Sequence, residues 1–291
     1  MHDLVTLGEI LLRLAIPSPA RFETARQLDV QIGGAEANVA AACARLGLRV
    51  AWISSLPGNQ WGERVRHELA GHGVDCSFVH TRPNARMGLY FVEYGVAPRP
   101  VRVLYDRRDS AFARMTEAET DWEPVRRAMR EAAAFAFDVN YRATLWTPAD
   151  ARRFLDEVLP EVRYLFLGES EARTIFDLTG TAEQTLEALA RLAPKATLSL
   201  QQGEAGSTVL AGGRFYRPRR RFNVQLVDPL GAGDAYVAGF LWAVLGKREL
   251  QEAVEIGNAV AALKCSIWGD VALVTPRDVE EVLADGPDVR R

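Results

Sequence analysis

Residues 228–245 read DPLGAGDAYVAGFLWAVL. The first seven hold two glycines, a proline and two aspartates. From Ala235 to Leu245 every residue is apolar, aromatic or glycine. The second part reads as a fully buried helix, begun at Asp234. The first helical amides have no acceptor within the helix, and with the helix dipole they form a site for an anion. Glycines at such a turn let a ligand approach the backbone. An aspartate there either caps the helix or serves as a general base beside a bound phosphate. Capping needs neither two glycines nor a buried helix behind it, so the pattern favours the base. The stretch is not a Walker loop, which needs GxxxxGK[ST], and it lacks the third glycine of GxGxxG.

Outward from this point, helices and strands alternate. A strand is expected to end at Val227. Upstream, residues 4–16 read as one strand with a close approach or bulge at Gly8. GGAEANVAAACARLG (33–47) reads as a helix closed by Gly47, and residues 49–57 as a buried strand. Residues 62–74 form an amphipathic helix. The rhythm breaks near 78–105, where MGLYFVEYG and RPVRVLYDR alternate like a hairpin. It then resumes. A helix is expected in EPVRRAMREAA (123–133), a strand in 134–141, and a helix from Pro148. A strand follows at 162–168, helices at 170–178 and 182–193, and strands at 196–203 and 207–213. Helices close the chain at 249–267 and 276–283. This pattern predicts an α/β fold: a mainly parallel sheet with helices on both faces. The pieces 10–32 and 87–105 are too small to stand alone and read as one β-lid on a single domain spanning 1–291.

Bulk properties narrow the function. The chain has 291 residues, 48% of them hydrophobic and 25% charged, with a net charge of −3. Nothing in this balance points to nucleic acid or membrane. Three scattered cysteines fit neither a disulfide framework nor a zinc site, and a cytoplasmic home is expected. His67 and His72 would not share a helix face. The basic run RPRRR (217–221) reads as an exposed strand edge.

DPLGAGD resembles the signature D-T-x-G-A-G-D of the ribokinase-like (PfkB) carbohydrate kinases, with Pro229 in place of threonine. GGAEANVAAACARLG, continued to PGNQWG, resembles the family's N-terminal glycine signature, with Pro57 and Asn59 in place of glycine and aspartate. The resemblance spans nearly the whole chain. GGAEAN, GLYFVEY, DVNYRATLW and ALKCSIWGD are similar to 2-keto-3-deoxygluconate kinases in particular.

The resemblance implies ATP with Mg²⁺ and transfer to a primary sugar hydroxyl. Carried onto matching positions, it makes Asp234 the base and Gly231, Ala232 and Gly233 the anion hole. Gly34, Asn38, Tyr90, Tyr105, Arg107 and Asp270 would contact the sugar. Asn140 and Arg142 would lie by the nucleotide phosphates. Gly203, Gly206 and Asn258 would line the adenine side. Glu171, in GESE, would act indirectly on the metal. Arg107 suits a sugar carboxylate, because a guanidinium binds one bidentately and in plane. Without the resemblance, DRRD reads as a solvated turn with local ion pairs, and Tyr90 and Tyr105 as hairpin packing.

The chain departs from the family between DSAFARM and FDVNYR. One strand-helix unit is missing between about 113 and 135, and the missing strand would be interior. Its neighbours then either close up or leave a gap. LQQGEAG, with Gln201 and Gln202, replaces a Lys or Thr before the glycine. Two other readings are a kinase for a neutral sugar such as fructose or ribose, and a truncated binding homologue without turnover. The expected partner is a small sugar or sugar acid, and the β-lid offers a surface for a homodimer.

Overall fold

The computed structural model describes residues 2–17, 20–95, 98–116, 122 and 134–285. The N-terminal half runs β1 (Leu4–Leu7), β2 (Leu11–Ala15), β3 (Asp29–Gly33), α1 (Ala35–Arg45), β4 (Val50–Pro57), α2 (Gln60–Gly71), β5 (Val74–Asp75), β6 (Val79–Arg82), β7 (Gly88–Glu93) and β8 (Arg102–Asp106). The C-terminal half runs β9 (Ala136–Asp138), α3 (Pro148–Val158), β10 (Tyr164–Gly168), α4 (Glu169–Phe176), α5 (Ala182–Leu192), β11 (Thr197–Gln201), β12 (Ser207–Ala211), β13 (Arg214–Tyr216), α6 (Ala232–Leu245), α7 (Leu250–Cys265) and α8 (Pro276–Asp285). The helix expected at 123–133 lies outside the described residues.

The central layer is α/β and mainly parallel, as the alternation predicted. It comes in two pieces. In one, β4 pairs in parallel with β1, β5 and β6. In the other, the order is β13-β12-β11-β10-β9, parallel from β9 to β11 and antiparallel beyond. Among the described residues no strand pairing joins β1 to β9. The unit expected to be missing falls mostly outside those residues. Leu7 on β1 is 44% exposed, as is Phe135 beside β9.

A third, small sheet has the order β3-β2-β7-β8. It corrects the reading of 4–16 as one strand. β1 and β2 belong to different sheets, and residues 8–10 carry the chain from one to the other. Gly8 sits at that crossover, where a Cβ would run into the Glu36 carboxylate. β2 is buried and β1 half-buried at best, yet an apolar run continues through both, and such a run does not say which residues belong to which sheet.

What holds the two central pieces together is α6. Its buried residues run from Ala235 to Ala243. α1 packs on one side, where Cys43 Sγ approaches the Ala238 carbonyl at 3.6 Å. α7 packs on another, with Gly239 so close to Val260 that a Cβ would lie 2.8 Å from its side chain. Phe240 meets Tyr164 and Phe166 of β10 edge-on, with ring centres 6.2 and 5.5 Å apart. One core cluster therefore spans α1, β4, α6 and α7 and includes Phe166 and Val209 from the second piece. A helix in contact on nearly every side has to be apolar all round, which is why the sequence after Asp234 has no polar face.

Two local expectations fail. Residues 217–231 contain no strand, so none ends at Val227; the Val227 and Asp228 amides bond instead to the Cys265 carbonyl. RPRRR is likewise loop rather than strand edge. Two of its side chains have partners there: Arg217 pairs with Glu183, and the Arg220 guanidinium donates to the Leu283 carbonyl. Among the described residues no helix is long and apolar enough to cross a membrane.

Candidate active site

Asp234 lies in the first turn of α6. The turn before it is reversed by Gly231, at φ 81°, and a Cβ there would sit 2.1 Å from the Asp270 carbonyl oxygen. Backbone conformation and space both require glycine at that point. The Ala232 amide leans on the Pro229 carbonyl at 3.3 Å, and the Gly233 and Asp234 amides have no backbone acceptor among the described residues. Donors at a helix start, with the dipole behind them, favour a negatively charged group. Ala232 thus belongs to the turn more through its backbone path than through a free donor.

Asn38, in α1, donates from Nδ2 to Asp234 Oδ2 at 2.7 Å. Its Oδ1 accepts from the Gly34 amide at 3.4 Å. A Cβ on Gly34 would strike the Glu9 carbonyl, at 2.2 Å. The starts of α1 and α6 are therefore joined through one amide side chain. Burial pushes the Asp234 carboxyl above its ordinary range, and Asp270 adds to the effect. The Asn38 hydrogen bond, Arg142 and Lys264 oppose it. A carboxylate raised in this way is a better proton acceptor than a solvated one.

At one end of this centre stands the small sheet. Tyr90 is buried and its hydroxyl donates to Asp270 Oδ2 at 2.7 Å. Its ring stacks on Tyr105, centres 5.8 Å apart, which is the expected cross-strand packing. Asp270 Oδ1 accepts from Arg13. Asp270 therefore reaches the site with both oxygens already engaged.

Arg107 corrects the reading of a local ion pair, since the partner it binds lies far away in sequence. Its Nε donates to Glu9 Oε2 at 2.7 Å and Nη2 donates to the same oxygen, while Ser110 Oγ donates to Glu9 Oε1. Glu9 is buried and Arg107 about a quarter exposed. DRRD looked local because sequence spacing hides a partner in the crossover between β1 and β2.

At the other end, Asn140 is held at φ 38° with its amide on Asp138 Oδ1 at 3.2 Å. Arg142 is exposed, and its charge is felt by both Asp234 and Glu36. Glu171 accepts from the Tyr141 amide at 2.5 Å and the Gly168 amide at 2.7 Å, which ties the loop after β9 to the start of α4. Gly203 and Gly206 have φ of 57° and 89°. Asn258 spends both amide hydrogens on Ser207 Oγ and the Val254 carbonyl, and its Oδ1 would lie 2.8 Å from a Cβ on Gly206. Asn258 therefore supports the loop from behind. Gln202 bridges Glu169 and Thr208, and Gln201 borders Gly233.

Sequence reasoning missed a set of buried charges. Arg13 and Lys264 are fully buried, as is Asp228. Burial pushes the Glu36 carboxyl up to about 7, with Asp234 adding to the rise and Arg107 and Arg142 opposing it. Asp138 is pushed up by burial and by Asp234, Glu171 and Glu36 around it. The available signal was a charge inside an apolar run, as in LLRLA and AALKCSI, since such charges are rarely buried unless paired.

Comparison with known proteins gives a consistent result. The model of the pfkB family carbohydrate kinases matches residues 1–134 and 118–272. A 2-dehydro-3-deoxygalactonokinase of Haloferax volcanii is 38% identical over 311 residues, covering 98% of this chain and 97% of that protein. A 2-dehydro-3-deoxygluconokinase of Thermoproteus tenax is 29% identical over 310 residues, covering 97% and 94%. The crystal structure of a 2-dehydro-3-deoxygluconokinase from Thermotoga maritima superposes with a TM-score of 0.90 at 26% identity, covering 97% of this chain and 99% of that one.

Proposed function

The chain belongs to the pfkB family of carbohydrate kinases, and on that premise we propose that it transfers the γ-phosphoryl group of ATP to the terminal hydroxyl of a 2-keto-3-deoxy sugar acid. The observation that carries the reading is Asp234, held by Asn38 at the start of α6 beside the glycine turn. The sugar hydroxyl oxygen attacks the γ-phosphorus as the bond to the β,γ-bridging oxygen breaks. Asp234 accepts the hydroxyl proton, and ADP leaves. The Gly233 and Asp234 amides at the end of the 231–233 turn meet the charge on the transferring group.

Magnesium would neutralise phosphate charge. Asp138, and Glu171 indirectly, are the carboxylates near Asp234 that would hold it; they suit an ion that takes most of its ligands from phosphates and water. Asn140 and Arg142 lie on the phosphate side in this reading. Gly203, Gly206 and the loop behind them, braced by Asn258, receive the base.

An acid substrate is supported by the two named relatives. One observation favours a neutral sugar instead: Glu9 already neutralises Arg107. The gluconate and galactonate forms of 2-keto-3-deoxy acid, fructose and ribose should therefore be compared in a coupled ADP-release assay with MgATP. The proposal expects turnover with one of the acids and little with the neutral sugars. The reverse order gives the neutral-sugar reading, and ligand-induced thermal stabilisation without product gives a binding homologue. The exposed outer strand β8, with Leu104 57% exposed, supports pairing of two copies through the lid; sedimentation at working concentration checks it. Three free thiols support a reducing, cytoplasmic setting.

A further inference from the structure

Arg13 stands in the middle of β2, between Gln31 of β3 and Tyr90 of β7. It is fully buried, yet its head leaves the small sheet and joins two loops far away in sequence. Nη2 donates to Asp228 Oδ2 at 2.5 Å, and Nη1 donates to Asp270 Oδ1. The Tyr94 ring lies 5.5 Å from the guanidinium carbon and is met edge-on by Trp268.

Asp228 is the hub on the other side. Oδ2 also accepts from the Tyr94 hydroxyl at 2.6 Å and the Gly269 amide at 3.0 Å. Oδ1 accepts from the Leu230 amide at 3.0 Å. Its backbone carbonyl accepts from buried Lys264 at 2.9 Å. The buried charges Arg13, Lys264, Asp228 and Asp270 sum to zero. Leu230 immediately precedes Gly231, and Gly231 lies against the Asp270 backbone. Any shift of Asp228 or Asp270 is therefore passed to the turn that carries the 231–233 amides.

A buried ion pair is weak support for stability, because desolvation offsets most of the attraction; its better-attested use is to fix one arrangement among several. We propose that Arg13 is a positioning residue: its guanidinium, bridging Asp228 and Asp270, registers the small sheet and its sugar-side residues against the glycine turn beside Asp234. This rests on the kinase reading above. A lysine cannot replace it, since a single ammonium cannot serve two carboxylates from a planar fork.

The test uses the full chain with Arg13→Lys, and Tyr94→Phe as a milder second variant. Two readouts are taken. Amide exchange is followed in the ligand-free protein for peptides covering 227–236 and, as a reference, 182–192. Steady-state KM is measured for MgATP and for whichever sugar is turned over. Positioning predicts faster exchange in 227–236 alone and a rise of roughly tenfold in sugar KM, with MgATP KM within about twofold. Unchanged exchange in 227–236, or equal acceleration in both peptides with both KM values unchanged, overturns the proposal and leaves Arg13 a packing residue. If wild type turns over no sugar, the kinase reading fails by itself and the exchange comparison alone decides Arg13. If Arg13→Lys does not fold, Tyr94→Phe decides: the same local pattern at smaller amplitude supports the proposal, and exchange equal to wild type overturns it.

Discussion

The two ends of the candidate site are built differently. At the lid end, Arg13, Asp228, Asp270, Tyr90 and Tyr94 are joined through side-chain bonds that cross from β2 to the loops around α6 and α7, and Glu9 and Arg107 form a second such link. At the opposite end the bonds are mostly short in sequence: the Asn140 amide to Asp138, the Gly168 amide to Glu171, the Gly206 amide to the Gly203 carbonyl. The first end is a set of buried charges that depend on one another, and the second is a set of backbone shapes. A change at the lid end should therefore spread to the catalytic turn, whereas a change at the far end should stay local.

The largest contrast is expected where both kinds of constraint meet. Gly231→Ala places a Cβ on the Asp270 carbonyl in a left-handed backbone conformation. It should cost about 1–3 kcal/mol in urea unfolding and lower kcat by about 10²–10³ through the displaced amides. Near-wild-type kcat would mean the turn is not what holds the phosphoryl group.

Next is Arg107→Ala, which leaves buried Glu9 without its cation. A loss of about 2–4 kcal/mol in unfolding is expected, together with a fall in kcat/KM at least roughly tenfold larger for an acid sugar than for a neutral one. Equal falls for both sugars would reduce Arg107 to a structural partner of Glu9.

The pH dependence sharpens the comparison further. Glu36 goes from the ordinary 4.5 to about 7, so between those values the folded chain holds a proton that the unfolded chain has released. Its contribution to stability is fully present below about 4.5 and declines as pH rises to about 7. Glu36→Gln should remove that decline, gaining about 1–3 kcal/mol over wild type at pH 8 and little at pH 4.5. Thermal unfolding at the two pH values measures it. A gain that is the same at both would show that ionisation is not the cause.

The smallest effect is expected at the far end. Gly203 has φ 57° with open space around it, so Gly203→Ala should cost only about 1 kcal/mol. It should raise MgATP KM without altering sugar KM. A change in sugar KM would break the separation between the two ends.

The parts legible in the sequence are those with local causes. Pro148 and Thr147 start α3 as helix-start chemistry requires, with Thr147 capping Asp150. Gly47 closes α1 at φ 97°, and the alternating stretches 88–93 and 102–106 pair as the expected hairpin. Asp234 and the glycine turn were visible because helix-terminal chemistry is written in adjacent residues. Arg13 was not, since its two partners lie 215 and 257 positions away. A charged residue in an apolar strand says that a partner exists but not which one. For the same reason the Arg107–Glu9 pair, 98 positions apart, was not readable from DRRD. The crossover at Gly8 was hidden because two apolar strands in different sheets have the same composition as one long strand.

The most direct measurement is sugar-dependent ADP release by wild type and by Asp234→Asn, a variant that keeps a hydrogen-bonding amide opposite Asn38 but cannot accept a proton. A loss of about 10²–10⁴ in kcat, with MgATP still stabilising the folded protein, is the predicted result. Comparable turnover in the two proteins would contradict the account, leaving Asp234 the cap of α6 and placing the base elsewhere.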